Sequence, residues 1–463
     1  MRKKWAVMGL AASALLAFPF SAFAADEVTA TTVQTNLDTF FVFLAFALVL
    51  FMQAGFAFLE AGSVRMKNAG HVAGKTILTL GIALVAFWAF GFGFGFGDGN
   101  GFFGYQGFFL SGEEMKPLYG ALSGLDVPIS VMFLFHLAFA AVSLSIAFGG
   151  FAERAKLSVY IIFGVLFMII IYPIIAHWVW GGGWLAAIGM QDYAGSTVVH
   201  LTGATAGLAA TIMLKPRLGK YNKDGKPNII PGHNQVFSVI GVFILWFGWM
   251  GFNPGSALTP SGGFFTYVAL TTNLAAAAGG IAALLISWVV LGKGDIPSML
   301  NGVLAALVAI TGSCAFVDVW AAVVIGLVAG IVTFFTAQWF EKAGVDDPIY
   351  AFSVHGIAGM WGAISTGLFA TPELAKQVNV GQAGLLYGGG FHQLGVQLLG
   401  MLGTFIFVLV LSFIILGIMK ALGGIRVTEE EEMMGLDISE HGSYGYPEQM
   451  RALGEVDRSK PNS

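Results

Sequence analysis

The sequence predicts an all-α membrane protein of eleven transmembrane helices, a 5 + 5 inverted repeat with one extra helix. Three observations predict it. Of the 463 residues 57% are hydrophobic and only 10% charged, with a mean hydropathy of +0.79; a soluble domain carries about 25% charge. Apolar runs of about 20 residues begin near residues 38, 70, 128, 157, 195, 234, 264, 296, 319, 349 and 393. Two histidines recur in one frame: Gly203, Ala204 and Gly207 follow His200 as Ala358, Gly359 and Gly362 follow His355. Offsets of three, four and seven share a helix face. Each histidine therefore lies beside small residues that let another helix approach.

Taken in order, the chain opens with Arg2, Lys3 and Lys4, then an apolar stretch ending Ser21-Ala22-Phe23-Ala24. That pattern predicts a signal peptide over residues 1–24, cut after Ala24, with an uncleaved first span as the competing reading. The loops after spans 1, 3, 5, 7 and 9 hold eleven Lys and Arg residues, among them Arg65, Arg154 and Arg217. The loops after the even-numbered spans hold only Lys116 and Lys376. The positive-inside rule then puts the mature N-terminus outside and the C-terminus inside. A cleaved signal and an odd span count demand the same arrangement.

The basic loop 215–233 divides ten spans into five plus five, with one histidine in the last span of each half. An odd number of spans per half inverts the second half, as in many transporters. Span 11 is the added element. The expected organisation is a transmembrane domain over 25–422 and a cytoplasmic tail over 423–463. The acidic run Glu429–Glu432 in that tail ordinarily marks a solvated end.

Two short motifs look catalytic without the setting catalysis needs. Ala69 to Thr76 fits a relaxed phosphate-loop pattern but opens a span instead of following a strand. Lys75 within it is expected to anchor the inner membrane edge. Gly99-Asn100-Gly101-Phe102-Phe103-Gly104 matches GxGxxG inside an outer loop, where a flexible surface loop is the simpler reading. No zinc spacing and no hydrolase frame occurs. One cysteine, Cys314, excludes an intrachain disulfide framework, and packing is its expected role. The chain reads as no enzyme, with no cofactor, metal or nucleic-acid partner.

The chemistry-bearing residues gather at the outer ends of the spans. Span 4 ends Trp178-Val179-Trp180-Gly181-Gly182-Gly183, and span 3 carries Phe135 and Phe139 four residues apart. Interfacial tryptophan belts account for part of this. They do not account for Asn253-Pro254-Gly255-Ser256, which breaks span 6 where broken backbone must line a cavity or be buried in protein. Aromatic faces with a hydroxyl suit a small cation, each ring contributing about 0.5–2 kcal/mol. Asp192, eight residues before His200, is placed to cap the start of span 5, with direct substrate ligation as the alternative.

These residues also carry a resemblance. The motifs are Ala152-Glu153-Arg154, Trp180-Gly181-Gly182-Gly183, Asp192 through His200, Gly248-Trp249 through Ser256, Asp346-Asp347-Pro348 through Val354-His355-Gly356, and the tail from Gly424 to Gly442. Together they make the chain similar to ammonium transporters of the Amt/Mep/Rh family over nearly all its length after residue 24.

The resemblance implies a homotrimer with one pore per subunit. It implies an outer ammonium site of Phe139, Trp180 and Ser256, oriented by Asp192, and a phenylalanine gate of Phe139 and Phe252. Below these it implies paired pore histidines, His200 and His355, lined by Trp249. It further implies a regulatory tail and a PII-type partner at the cytoplasmic face of a cell inner membrane. Two residues depart from the family pattern. His136 stands where relatives often carry glutamine, and either sits near the outer site or bonds a neighbouring helix. Tyr350 stands where some relatives carry a further acid.

The expected function is ammonium transport, with methylammonium as an analogue. Ammonium enters as a cation and loses its proton before the narrowest part. The alternatives are an ammonium sensor acting through the tail, and a passive channel for neutral ammonia or carbon dioxide. Counting along the spans puts His200 in the outer half and His355 in the inner half. Only the resemblance implies that they touch.

Overall fold

The computed structural model describes residues 29–452, so the expected signal peptide over 1–24 lies outside the described residues. The described residues are helical, with isolated β-bridges and no extended sheet. Ten helices are long and apolar enough to cross a bilayer. We label them α1 (Ala30–Ser63), α2 (Met66–Phe96), α3 (Ile129–Gly149), α4 (Leu157–Ala187), α5 (Ser196–Leu214), α6 (Gln235–Ala257), α7 (Ser261–Leu291), α8 (Ile296–Ser313), α9 (Val319–Lys342) and α11 (His392–Gly423). The run predicted near residue 349 is α10, a π-helical segment Phe352–Ile357 continuing into the α-helix Ala358–Phe369. Its two segments, of 6 and 12 residues, together match the 18 residues of α8.

The packing follows the two-half organisation. The first helix of each half, α1 and α6, lie along one another. Within the first half α5 packs on α3, and within the second α10 packs on α8. The added helix α11 touches both α5 and α10. Small residues make these approaches possible. A side chain at Gly203 would meet the Ser143 carbonyl at 2.3 Å, and one at Gly362 would meet the Ala309 carbonyl at 2.6 Å. These two glycines belong to the repeated histidine frame, so the shared face does what its spacing implies. α3 and α5 are almost wholly buried, whereas α1, α7, α9 and α11 turn large apolar side chains such as Phe40, Val289, Trp339 and Ile414 outward. Apolar exposure on that scale suits a lipid surround.

Three expectations are corrected. Lys75 does not reach the membrane edge. It is buried on α2 in an ion pair with Glu60 of α1, its ammonium about 6 Å from the Phe148 and Tyr160 ring centres. An intramembrane charge takes an opposite charge when the fold supplies one, and a pattern read along one helix does not see the partner on another. The GxGxxG loop is pinned, with the Asn100 side chain accepting from Phe102 and Phe103 N–H and its carbonyl 2.7 Å from His177 Nε2. The acidic run is not a free end. Thr428 and Glu431 form a reciprocal capping box that starts the helix α12 (Glu429–Met434), so the glutamates favour the positive end of a helix.

That tail is docked on the loops. Glu432 is buried, pairs with Arg426 at 2.6 Å and accepts from Leu218 N–H. In α13 (Leu436–His441) the Asp437 carboxylate accepts from Gly70, His71 and Gly445 N–H. His441 reaches His71 at 2.9 Å. Lys67 donates to the Glu432 and Met433 carbonyls.

Beneath this lies a brace of buried charge between the halves. Glu153 pairs with Arg65 at 2.8 Å and Arg217 at 2.9 Å, and Arg217 pairs with Asp346 at 2.7 Å. Arg154, fully buried, donates to the Ala152, Lys215 and Asp346 carbonyls. Burial opposes ionisation of Glu153, but the Arg217 and Arg65 guanidiniums outweigh it and hold its carboxyl at about 2. Asp346 is likewise held at about 2, burial being outweighed chiefly by Arg217.

A depressed carboxyl stabilises the fold above its unfolded value and ceases to do so as pH falls through its folded value. Glu153→Gln is therefore expected to cost about 3 kcal/mol at neutral pH, because Arg65 and Arg217 lose their shared carboxylate while Arg217 keeps Asp346. The melting-temperature gap from the parent protein should be full at pH 7 and close as pH falls from about 4.5 toward 2. A gap that closes between pH 7 and 5 would contradict this assignment.

Candidate functional site

α6 ends as a regular helix at Phe252, and Pro254 to Ala257 continue as a 3-10 turn. The Asn253-Pro254-Gly255 break therefore occurs where the sequence puts it. Asn253 is buried. Its amide donates to Thr272 Oγ1 at 3.1 Å, and its own Oδ1 has no protein partner. Ser256 Oγ donates to the Phe252 carbonyl at 2.7 Å. With its proton committed there, the hydroxyl offers only lone pairs to anything beside it.

Around this break the aromatic residues line up. Phe139 of α3 and Phe252 of α6 stack with ring centres 4.0 Å apart and an interplanar angle of 18°. Trp180 meets Phe139 edge-on at 6.1 Å. His200 lies 5.5 Å from Phe252, and Trp249 stacks on His200 at 5.4 Å and 13°. His355 follows, its Nδ1 3.2 Å from His200 Nδ1, with the rings nearly parallel at 10°. Both imidazoles are buried. One nitrogen must carry the shared proton and the other accept it. The structure thus brings Trp180, Phe139, Phe252, Trp249, His200 and His355 into one continuous series, with Ser256 at the break beside Phe252.

The histidines reach each other because both helices start as π-turns. His200 lies in Ser196–Leu201 and His355 in Phe352–Ile357. A π-turn is a single widened coil that often marks a functional position. Gly195, at φ 112°, makes the first turn possible. A side chain there would also meet the Trp180 ring at 3.0 Å, so glycine serves both the backbone and the tryptophan.

Asp192 ties Trp180 to the start of α5. Its Oδ2 accepts from Thr197 N–H at 3.0 Å and Val198 N–H at 2.9 Å, and its carbonyl accepts the Trp180 indole N–H at 2.9 Å. Burial pushes its carboxyl up to about 6, against backbone N–H groups that favour the ionised form. One residue thus fixes both the start of α5 and the orientation of Trp180.

Thr311 is a residue that sequence reasoning missed. Its Oγ1 accepts the Trp249 indole N–H at 2.8 Å and donates to the Leu307 carbonyl, while its own carbonyl accepts from Ala194 N–H. It clamps Trp249 and the loop before α5 to α8. A threonine inside an apolar span is its sole signal, and many such threonines only bond their own helix. Tyr350, the second departure, has φ 57° and donates its hydroxyl to Glu341 at 3.1 Å.

The chain is similar to known proteins over most of its length. The Ammonium Transporter Family matches residues 40–446. The chain belongs to that family. It is 43% identical over 441 residues to the ammonium transporter Amt2 of Archaeoglobus fulgidus, covering 91% of this chain and 92% of that protein. Among solved structures it is similar to a Sensor Amt Protein, with a TM-score of 0.81, 35% identity, and coverage of 88% of this chain and 99% of that one. It is also similar to Mep2 of Candida albicans, with a TM-score of 0.81, 30% identity and 94% coverage of each chain. The all-helical membrane fold and the ammonium transporter family are therefore shown.

The Asp192 geometry yields a stability prediction. Asp192→Ala leaves two buried N–H groups without an acceptor, each costing about 1–3 kcal/mol. The purified Ala variant should melt at a clearly lower temperature than the parent. Asp192→Asn keeps an acceptor and should recover most of the loss. Equal melting of all three would show that the carboxylate does not hold the start of α5.

Proposed function

We propose that the protein moves ammonium across a membrane by binding it as a cation at an outer aromatic site and passing it, without one proton, along the histidine pair. The observation that carries this reading is the unbroken series from Trp180 through the stacked Phe139 and Phe252 to His200 and His355. Trp180 and Phe139 give a cation two ring faces, and Ser256 Oγ gives it an N–H acceptor. Phe139 and Phe252 act as the gate.

Beyond the gate the path is apolar and buried. A charged side chain at the centre of a membrane costs about 2.5–3.5 kcal/mol on insertion scales. A neutral ammonia avoids that cost, so shedding the proton before or at His200 is favoured. Histidine titrates near physiological pH and exists in two neutral tautomers. The shared Nδ1 proton gives the pair a ready route for exchange: as one imidazole gains a proton at one nitrogen, it can release another to its neighbour. Trp249 backs His200 and excludes water from that side.

The same reading carries eleven spans with the mature N-terminus outside and the tail in the cytoplasm, after removal of residues 1–24. It takes the protein as a homotrimer of the inner membrane. The docked tail supplies an ordered cytoplasmic surface for a PII-type regulatory protein. A sensing role has a separate warrant: one solved relative is a Sensor Amt Protein, and the tail contacts the start of α2 and the loop after α5.

The test is uptake and current in liposomes holding the purified protein after an ammonium step, for the parent chain and Trp180→Leu. Losing one ring face at about 0.5–2 kcal/mol raises half-saturation by roughly two- to thirty-fold. Unchanged half-saturation would make Trp180 an interfacial anchor. Ammonium binding without flux in the parent protein would favour the sensor.

A further inference from the structure

His136 is a buried histidine that the series above does not use. It lies on α3 one residue after Phe135 and three before Phe139, so it shares a face with the gate residue. It is 8% exposed. Its ring centre is 4.0 Å from that of Phe96, 5.6 Å from that of Phe135 and 6.1 Å from that of Trp180. These neighbours are aromatic and none carries a charge.

Neither of its ring nitrogens has a protein hydrogen-bond partner. The other buried histidines differ. His177 has both nitrogens within bonding distance of the Gly95 and Asn100 carbonyls, His71 pairs with His441, and His200 pairs with His355. An imidazole serving only to join helices would bond one of them, and His136 bonds none. Leaving a buried polar group unpaired costs about 1–3 kcal/mol, which a residue of merely suitable shape would avoid.

We propose that His136 is a specificity-determining ligand of the outer site, whose imidazole accepts an N–H from ammonium and so separates it from alkali cations. The inference rests on the outer-site reading above. Ring faces attract any small cation through their quadrupole, and potassium has the charge and nearly the size of ammonium. Trp180 and Phe139 therefore do little to tell the two apart. What distinguishes ammonium is four directional N–H donors. A neutral imidazole nitrogen is a good acceptor for one of them, and a charged donor strengthens the bond. Potassium has nothing to donate, and hard cations prefer oxygen. Ser256 Oγ supplies an acceptor by the α6 break and His136 supplies a second from α3, so a cation beside Trp180 would be read by direction as well as by charge.

The experiment measures ammonium half-saturation in liposomes, with and without potassium chloride, for the parent chain, His136→Leu and His136→Gln. Loss of one charge-assisted bond is expected to raise half-saturation in the Leu variant by roughly ten- to a hundred-fold. Potassium should become a competitor there, while the maximal rate stays within about two-fold. Glutamine retains an acceptor and should restore both properties. A Leu variant with parental half-saturation and no competition by potassium overturns the proposal, as does a Gln variant that rescues nothing.

Should the Leu variant fail to fold, the parent protein still decides. The side-chain nitrogen-15 signals of His136, assigned by their loss in the Gln variant, should move on titration with ammonium chloride and stay put with potassium chloride. Signals indifferent to ammonium overturn it. If Trp180→Leu weakens ammonium binding and His136→Leu does not, this inference fails alone. If neither does, the outer-site reading fails with it.

Discussion

The contact between His200 and His355 is the constraint on which the rest of the structure depends. Two imidazoles 3.2 Å apart inside an apolar bundle need two helices that start close together and bring their first turns face to face. α5 and α10 do so by opening as π-turns. Each then lies against its own half through glycines, Gly203 beside α3 and Gly362 beside α8. The inverted arrangement follows from the same demand. Equivalent positions in two halves of opposite direction can meet only near the axis relating them, so the repeated frame and the central contact are one feature seen at two scales.

The two ends of the bundle solve different problems with the same economy of charge. At the end that carries Trp180, the Asp192 carboxylate is committed to the N–H groups of Thr197 and Val198. At the end that carries the tail, full charges are held in pairs: Glu60 with Lys75, Glu153 with Arg65 and Arg217, Asp346 with Arg217, Glu432 with Arg426. These pairs join α1 to α2, the loop after α3 to the loop after α5, and the tail to itself beneath them. A buried pair is costly to break once one partner is removed, so the end that carries the tail is the stiffer one. The tail, resting on Asn68, Gly70 and His71, shares that stiffness with α2.

Much of this was legible in the sequence because membrane proteins obey few, strong rules. Length and apolarity fix spans, and the spacing of Gly203 and Gly207 after His200 fixes a close-packed face. Asn253-Pro254-Gly255 announces the break after Phe252, and position alone points Asp192 at the start of α5. What escaped was pairing across helices. Lys75 looks like an edge residue until Glu60 is beside it, Thr311 looks like any threonine until Trp249 reaches it, and four successive glutamates look solvated until Thr428 caps them. The His200–His355 contact belongs to the same class. Periodicity assigns each residue a face, but which faces meet is set by tertiary packing that no single helix encodes.

The central claim is that the histidine pair conducts ammonium stripped of a proton, and so excludes ions that have none to give. It is tested most directly by replacing each histidine in turn, His200→Ala and His355→Ala. Ammonium- and potassium-evoked currents are then compared in liposomes under one membrane potential. The account predicts that each variant either loses the ammonium current or passes potassium beside it, because the proton-exchanging contact is gone and the widened path admits a hydrated ion. Parental ammonium current with parental exclusion of potassium in both variants would contradict it.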